Sequence, residues 1–170
     1  MEDAQKKFLD VYENYSDKVF RFCLFKLNDR EMAKDFMQDT FTKTWILATE
    51  KKMEFKSVKA ILYKIAGNLI IDEYRRRGRR GFSSSLDELH DSGFDATFDE
   101  NSSVADIIDG GEAVKLISKI QEPYGEAVFM RYVQGLELEE ISHITGVSEN
   151  TISVRVHRGI SILKKLFNHE

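Results

Sequence analysis

The chain has 170 residues, 42% of them apolar and 32% charged, with a net charge of −4. Those proportions predict a soluble globular protein, one domain or two small ones, and exclude a disordered or membrane chain. Apolar runs such as Leu69-Ile70-Ile71 are too short to span a bilayer, no apolar stretch for a signal peptide follows Met1, and one cysteine, Cys23, allows neither an intramolecular disulfide nor a zinc site; a cytoplasmic location without membrane insertion is expected.

In chain order, Phe8, Tyr12, Tyr15, Val19, Phe22 and Phe25 recur at spacings of three and four, which predicts an amphipathic helix. Ala33, Phe36, Met37, Phe41, Trp45 and Ala48 predict a second. Val58, Ile61, Leu62, Ile65 and Leu69 predict a third, running on into Arg75-Arg76-Arg77-Gly78-Arg79-Arg80. On the second helix Asp35, Gln38 and Asp39 share one face, opposite Phe41 and Trp45. Five arginines within six residues, with Tyr63 and Tyr74 nearby, form a cationic surface able to neutralise phosphates and stack on bases. Cys23 sits among Phe22, Leu24 and Phe25 and reads as a buried, inert thiol.

The charge is sorted into blocks. Residues 1–80 carry net +5, residues 81–111 carry eight acids and no Lys or Arg, and residues 112–170 carry net −1. The acidic block is also rich in Ser, Asp and Gly, with Ser83-Ser84-Ser85 and Gly110-Gly111 as punctuation, and reads as a flexible linker. Helical spacing resumes with Val114, Leu116, Ile117 and Ile120. The fold class is therefore all-α, with two small helical domains, residues 1–80 and 112–170, joined by an acidic linker over 81–111.

The stretch from Leu136 to Ile152 has the grammar of a helix-turn-helix. Leu138, Ile141 and Ile144 point inward on a short helix, and Gly146 suits a left-handed turn residue. Val147 plugs the core, and Ser148 can cap the next helix. That helix buries Ile152, Val156, Ile160 and Leu163 and leaves Asn150, Ser153, Val154, His157 and Arg158 outward. Val154 is apolar yet lies about 200° around the helix from Ile152, which suits contact with a thymine methyl. Arg155 and Arg158 can each reach phosphate or guanine.

These elements, in this order, resemble the extracytoplasmic-function sigma factors of bacterial RNA polymerase over nearly the whole chain. Asp35-Phe36-Met37-Gln38-Asp39-Thr40-Phe41 resembles the family segment that grips the polymerase clamp helices, which implies Asp35, Gln38, Asp39 and Phe41 as docking residues. Ile65-Ala66-Gly67-Asn68 with Asp72 and Arg75-Arg76 resembles the segment that melts and reads the minus-ten element. The resemblance implies Tyr63, Asn68, Asp72, Arg75, Arg76, Arg77, Arg79 and Arg80 as its DNA contacts, with Asn68 on a base and the arginines on phosphates. Glu122-Pro123-Tyr124 through Thr151-Ile152 resembles the domain that reads the minus-thirty-five element, implying Asn150, Thr151, Ser153, Val154, Arg155, His157 and Arg158. The implied partners are core RNA polymerase, promoter DNA (duplex and melted) and, as for many relatives, an anti-sigma factor; no cofactor or metal is implied.

The chain departs from the family pattern at four places. Ile61 stands where Trp or Tyr is usual, Gly67 where Arg is, Ser153-Val154 where Lys or Arg then Ser are, and Gly159 where Ala is. Gly159 is expected to weaken its helix by up to about 1 kcal/mol relative to Ala. An autonomous helix-turn-helix regulator would account for residues 136–166 equally well, but leaves the Asp35 face and the arginine cluster without a role. An enzyme is not expected: His90, His143, His157 and His169 show no ligand spacing, and neither a phosphate-cradling glycine loop nor a nucleophile–base set is present.

Overall fold

The computed structural model describes residues 2–51, 58–79 and 111–168, the side chain of Arg79 excepted. The acidic linker expected over 81–111 lies outside the described residues except for Gly111, as does Arg80. All regular structure among the described residues is helical. The chain divides into two units, Met1–Gly81 and Phe82–Glu170.

The first unit is built from α1 (Glu2–Leu27), α2 (Arg30–Glu50) and α3 (Val58–Arg79). The turn from α1 to α2 takes two residues. Asn28 adopts φ 50°, a left-handed conformation that asparagine tolerates at a helix end. Asp29 then caps α2, its carboxylate accepting the Met32 amide at 3.0 Å. So short a turn forces α1 and α2 to lie side by side, and α3 packs against both. Val19, Phe22, Cys23, Leu24, Phe25, Ala33, Met37, Phe41, Leu62, Tyr63, Ala66 and Ile70 fill the core. Phe22 and Tyr63 meet edge to face at 5.3 Å. At the far end Phe8 packs on Trp45, and Tyr12 on Phe41, both at 4.9 Å.

Two corrections to the sequence reading follow from this core. Phe41 and Tyr63, expected on the polymerase and DNA surfaces, are 3% and 1% exposed. Each ring packs into the core beneath its helix. The third helix is also rotated from the expected register. The buried line runs Val58, Leu62, Ala66, Ile70, while Ile71 is exposed. Thr40 and Thr44 are buried too, and their hydroxyls donate to the Phe36 and Thr40 carbonyls, both at 2.7 Å. Cys23 is buried as expected, and burial pushes its thiol up to about 12.

The second unit contains α4 (Gly111–Ser118), α5 (Tyr124–Val128), a wider π turn over Phe129–Val133, α6 (Leu138–Thr145) and α7 (Glu149–Asn168). Val114, Ile117, Val128, Phe129, Met130, Leu136, Ile141 and Ile152 form its core. The helix α7 crosses α5 at Gly159, where a Cβ would stand 2.3 Å from the Val128 Cγ2 and 2.9 Å from the Tyr124 carbonyl oxygen. This corrects the expectation drawn from helix propensity. Glycine suits this position because an added Cβ would press on both the Val128 side chain and the Tyr124 backbone.

Candidate nucleic-acid interface

Two surfaces carry the residues singled out in the sequence, one in each unit. In the second unit the helix-turn-helix is built as its residues dictate. At the start of α6 the Glu140 carboxylate accepts the Glu137 amide at 3.0 Å, completing a capping box. At its end Gly146 has φ 74° and donates its amide to the Ser142 carbonyl at 2.9 Å. Ser148 caps α7: its Oγ accepts the Thr151 amide at 3.3 Å and lies 2.9 Å from the Thr151 hydroxyl. Thr151 thus serves the cap, although it is exposed. Val147 is half-buried rather than fully inserted, but its carbonyl accepts the Ser142 hydroxyl at 2.6 Å and fixes the turn.

Facing outward from α7 are Asn150, Ser153, Val154, His157 and Arg158, all exposed, while Arg155 is half-buried on the flank. Val154 is 41% exposed, on the face away from the buried Ile152 and Val156. Arg158 donates from Nη1 to the Tyr124 hydroxyl at 3.4 Å, so α5 steadies the guanidinium. Nothing local in the sequence marks Tyr124 for this role, since the pairing spans 34 residues and depends on the crossing at Gly159.

In the first unit Asp35, Gln38 and Asp39 are exposed together on α2, above the buried Met37 and Phe41. On α3 an outward stripe is formed by Lys64, Asn68, Ile71, Asp72 and Arg75, all exposed. Arg76 and Arg77 turn away from that stripe. Glu73, buried on the opposite side of α3, accepts a two-pronged pair from Arg76 at 3.0 and 2.8 Å and a bond from the Arg77 Nε at 3.2 Å. Arg77 also donates to the Met32 Sδ at 3.3 Å and lies 6.0 Å from the centre of the Tyr74 ring. The Tyr74 hydroxyl in turn donates to the Lys26 carbonyl, tying α3 to the end of α1. Hydrogen bonds from Arg76, ahead of those from Arg77, hold the Glu73 carboxyl below the usual glutamate range despite its burial. Glu73 is scarcely marked in the sequence. Its only signal was the spacing of three and four to two arginines, which any exposed helix shares.

Comparisons with known proteins agree with this division. A family model described as Sigma-70 region 2 matches residues 11–80, and one described as Sigma-70, region 4 matches residues 111–163. The chain is 28% identical over 162 residues to the ECF RNA polymerase sigma factor SigM of Bacillus subtilis, the match covering 94% of each. It is 25% identical over 168 residues to SigW of the same organism, across 95% of this chain and 89% of that one. Among solved structures, the sigma factor RpoE of Bartonella quintana, crystallised with the anti-sigma factor NepR, shares the fold with a TM-score of 0.69 at 24% identity, covering 96% of this chain and 98% of that one.

Proposed function

From the premise that this chain belongs to the sigma-70 family, as a sigma factor of the extracytoplasmic-function group, we propose how its surfaces divide the work of promoter recognition. It binds core RNA polymerase and promoter DNA and acts in the cytoplasm, contributing binding rather than catalysis. Residues 1–80 dock on the polymerase and hold the melted minus-ten strand, and residues 112–170 read the minus-thirty-five duplex. Asp35, Gln38 and Asp39 form the docking face. Asn68, whose amide can both donate and accept, contacts a base, flanked by Asp72 and Arg75. Ser153, Val154, His157 and Arg158 read base edges in the major groove, and Arg155 holds phosphate.

The observation that carries this reading is the outward face of α7. Its polar residues and one exposed valine follow a capped turn, the geometry in which a recognition helix enters the major groove. Base edges offer both hydrogen-bonding groups and the thymine methyl, so such a mixed face is matched to them. The autonomous-regulator alternative leaves residues 11–80 without a role, whereas the region 2 match covers them. An anti-sigma factor is a further proposed partner, by analogy with the Bartonella protein.

The docking assignment is tested by replacing Asp35, Gln38 and Asp39 together with alanine. All three side chains are exposed, so helical content should not change while affinity for core polymerase falls. Unaltered affinity in a binding titration removes these residues from the docking face.

A further inference from the structure

We infer that Glu73 is a positioning residue of the arginine cluster, withholding Arg76 and Arg77 from DNA so that Arg75 is the phosphate-facing member of the triplet. The inference rests on the sigma-factor reading above and refines it. At 100° per residue, position 73 lies opposite the stripe of Lys64, Asn68, Ile71 and Arg75, and positions 76 and 77 fall on its two flanks. The Glu73 side chain is 8% exposed, yet both of its oxygens are occupied by guanidinium donors. The two cations compensate the carboxylate for the water its side chain has lost. The constraint is mutual. Arg77 is held on three sides, by the carboxylate, the Met32 thioether and the Tyr74 ring. Arg76 is paired through two of its nitrogens.

A guanidinium already forked onto a buried carboxylate cannot present the same fork to a phosphate without abandoning that partner. Arg75 differs: it is exposed, and no hydrogen bond or ion pair engages it among the described residues. The sequence advertises five arginines at this helix end. The fold spends two of the first three on its own anchorage, which also spaces the cations and relieves their mutual repulsion. Glu73 thereby sets how much positive charge α3 offers to the melted strand.

The test is the salt dependence of binding, because each phosphate neutralised on a single strand contributes about 0.7 to the slope of log K against log salt. Holoenzymes are assembled with the wild-type chain, Glu73→Gln, the triple variant E73Q/R76Q/R77Q and Arg75→Gln. Each is titrated with a forked duplex bearing a single-stranded arm of mixed sequence, with core polymerase alone as background. Glu73→Gln should steepen the slope by up to ~1.4 as two guanidiniums are released, and Arg75→Gln should flatten it by ~0.7. The triple variant, which leaves no unpaired buried charge, should return the wild-type slope. A merely structural glutamate would not steepen the slope when neutralised. The inference is overturned if the triple variant flattens the slope, if folded Glu73→Gln keeps the wild-type value, or if Arg75→Gln leaves it unchanged. Should Glu73→Gln not fold, the triple variant and Arg75→Gln still decide. A wild-type chain that forms no holoenzyme defeats the functional reading itself, a result distinct from any of these slopes.

Discussion

At Gly159 a single methyl group has nowhere to go. Its nearest neighbours would be the Val128 side chain at 2.3 Å and the Tyr124 backbone at 2.9 Å, so Gly159→Ala should destabilise the second unit by about 1–3 kcal/mol even though alanine is the better helix former. Gly67 supplies the control. It sits mid-helix in α3 with nothing within 4 Å of an added Cβ, so Gly67→Ala should stabilise by up to about 1 kcal/mol. Urea denaturation of both variants checks the pair, and a gain at both positions would contradict the close crossing of α7 and α5. The same residue pair marks what a sequence conceals. Helix propensity is local and was read without difficulty, whereas the proximity of another backbone is tertiary and leaves no trace in neighbouring letters. The burial of Phe41 and Tyr63 was hidden for a related reason. An aromatic ring next to charged residues satisfies a binding pattern and a packing pattern equally, and only burial separates them.

For whole elements, periodicity was a better guide. The spacing of Phe22 and Phe25, of Ala33, Met37 and Phe41, and of Ile152 and Val156 placed three helices with the right side inward. On α3 it was less decisive, because Leu69-Ile70-Ile71 offers apolar side chains all round the helix; contact with α1 and α2 selects Ile70 and leaves Ile71 exposed. Glu73 fixes the end of that helix, and its titration gives a prediction with a definite sign. Its carboxyl is held below the ordinary value of 4.5, so the stabilisation is complete above that value and is lost as pH falls through the lower, folded-state value. As pH falls below 4.5 the Tm of the wild-type chain should fall more steeply than that of Glu73→Gln. Parallel curves would show that Glu73 does not anchor the helix.

On α7, the proposed recognition helix, two arginines should behave differently. Arg158→Ala should relax preference at one upstream promoter position, at a loss of ~1–3 kcal/mol if the contact is bidentate to guanine. Arg155→Ala, on the half-buried flank, should weaken binding similarly at every sequence. Selection from a promoter library with each holoenzyme distinguishes the two. An even loss across all promoters for both variants would mean that Arg158 reads no base.

Over the whole molecule, the organisation was legible because charge and texture change together along the chain. The apolar periodicity stops where the acids begin and resumes near Val114, and the two family regions end and begin at nearly the same places, at residue 80 and residue 111. Each unit has its own buried core. The proposed division of labour does not ask either unit to open DNA alone. Unpairing a duplex must be offset by binding energy gathered at several sites at once, and the polymerase is the scaffold on which two short readers are combined. The central claim is therefore tested most directly by reconstituted transcription: purified chain and core polymerase are incubated with a library of randomised promoters, and the transcripts are sequenced. A sigma factor should convert core enzyme into one that initiates at a discrete promoter class with two separated preferred elements, the upstream preference changing with Arg158→Ala. Initiation no different from core polymerase alone, with the chain bound to DNA but not to the enzyme, would contradict the account.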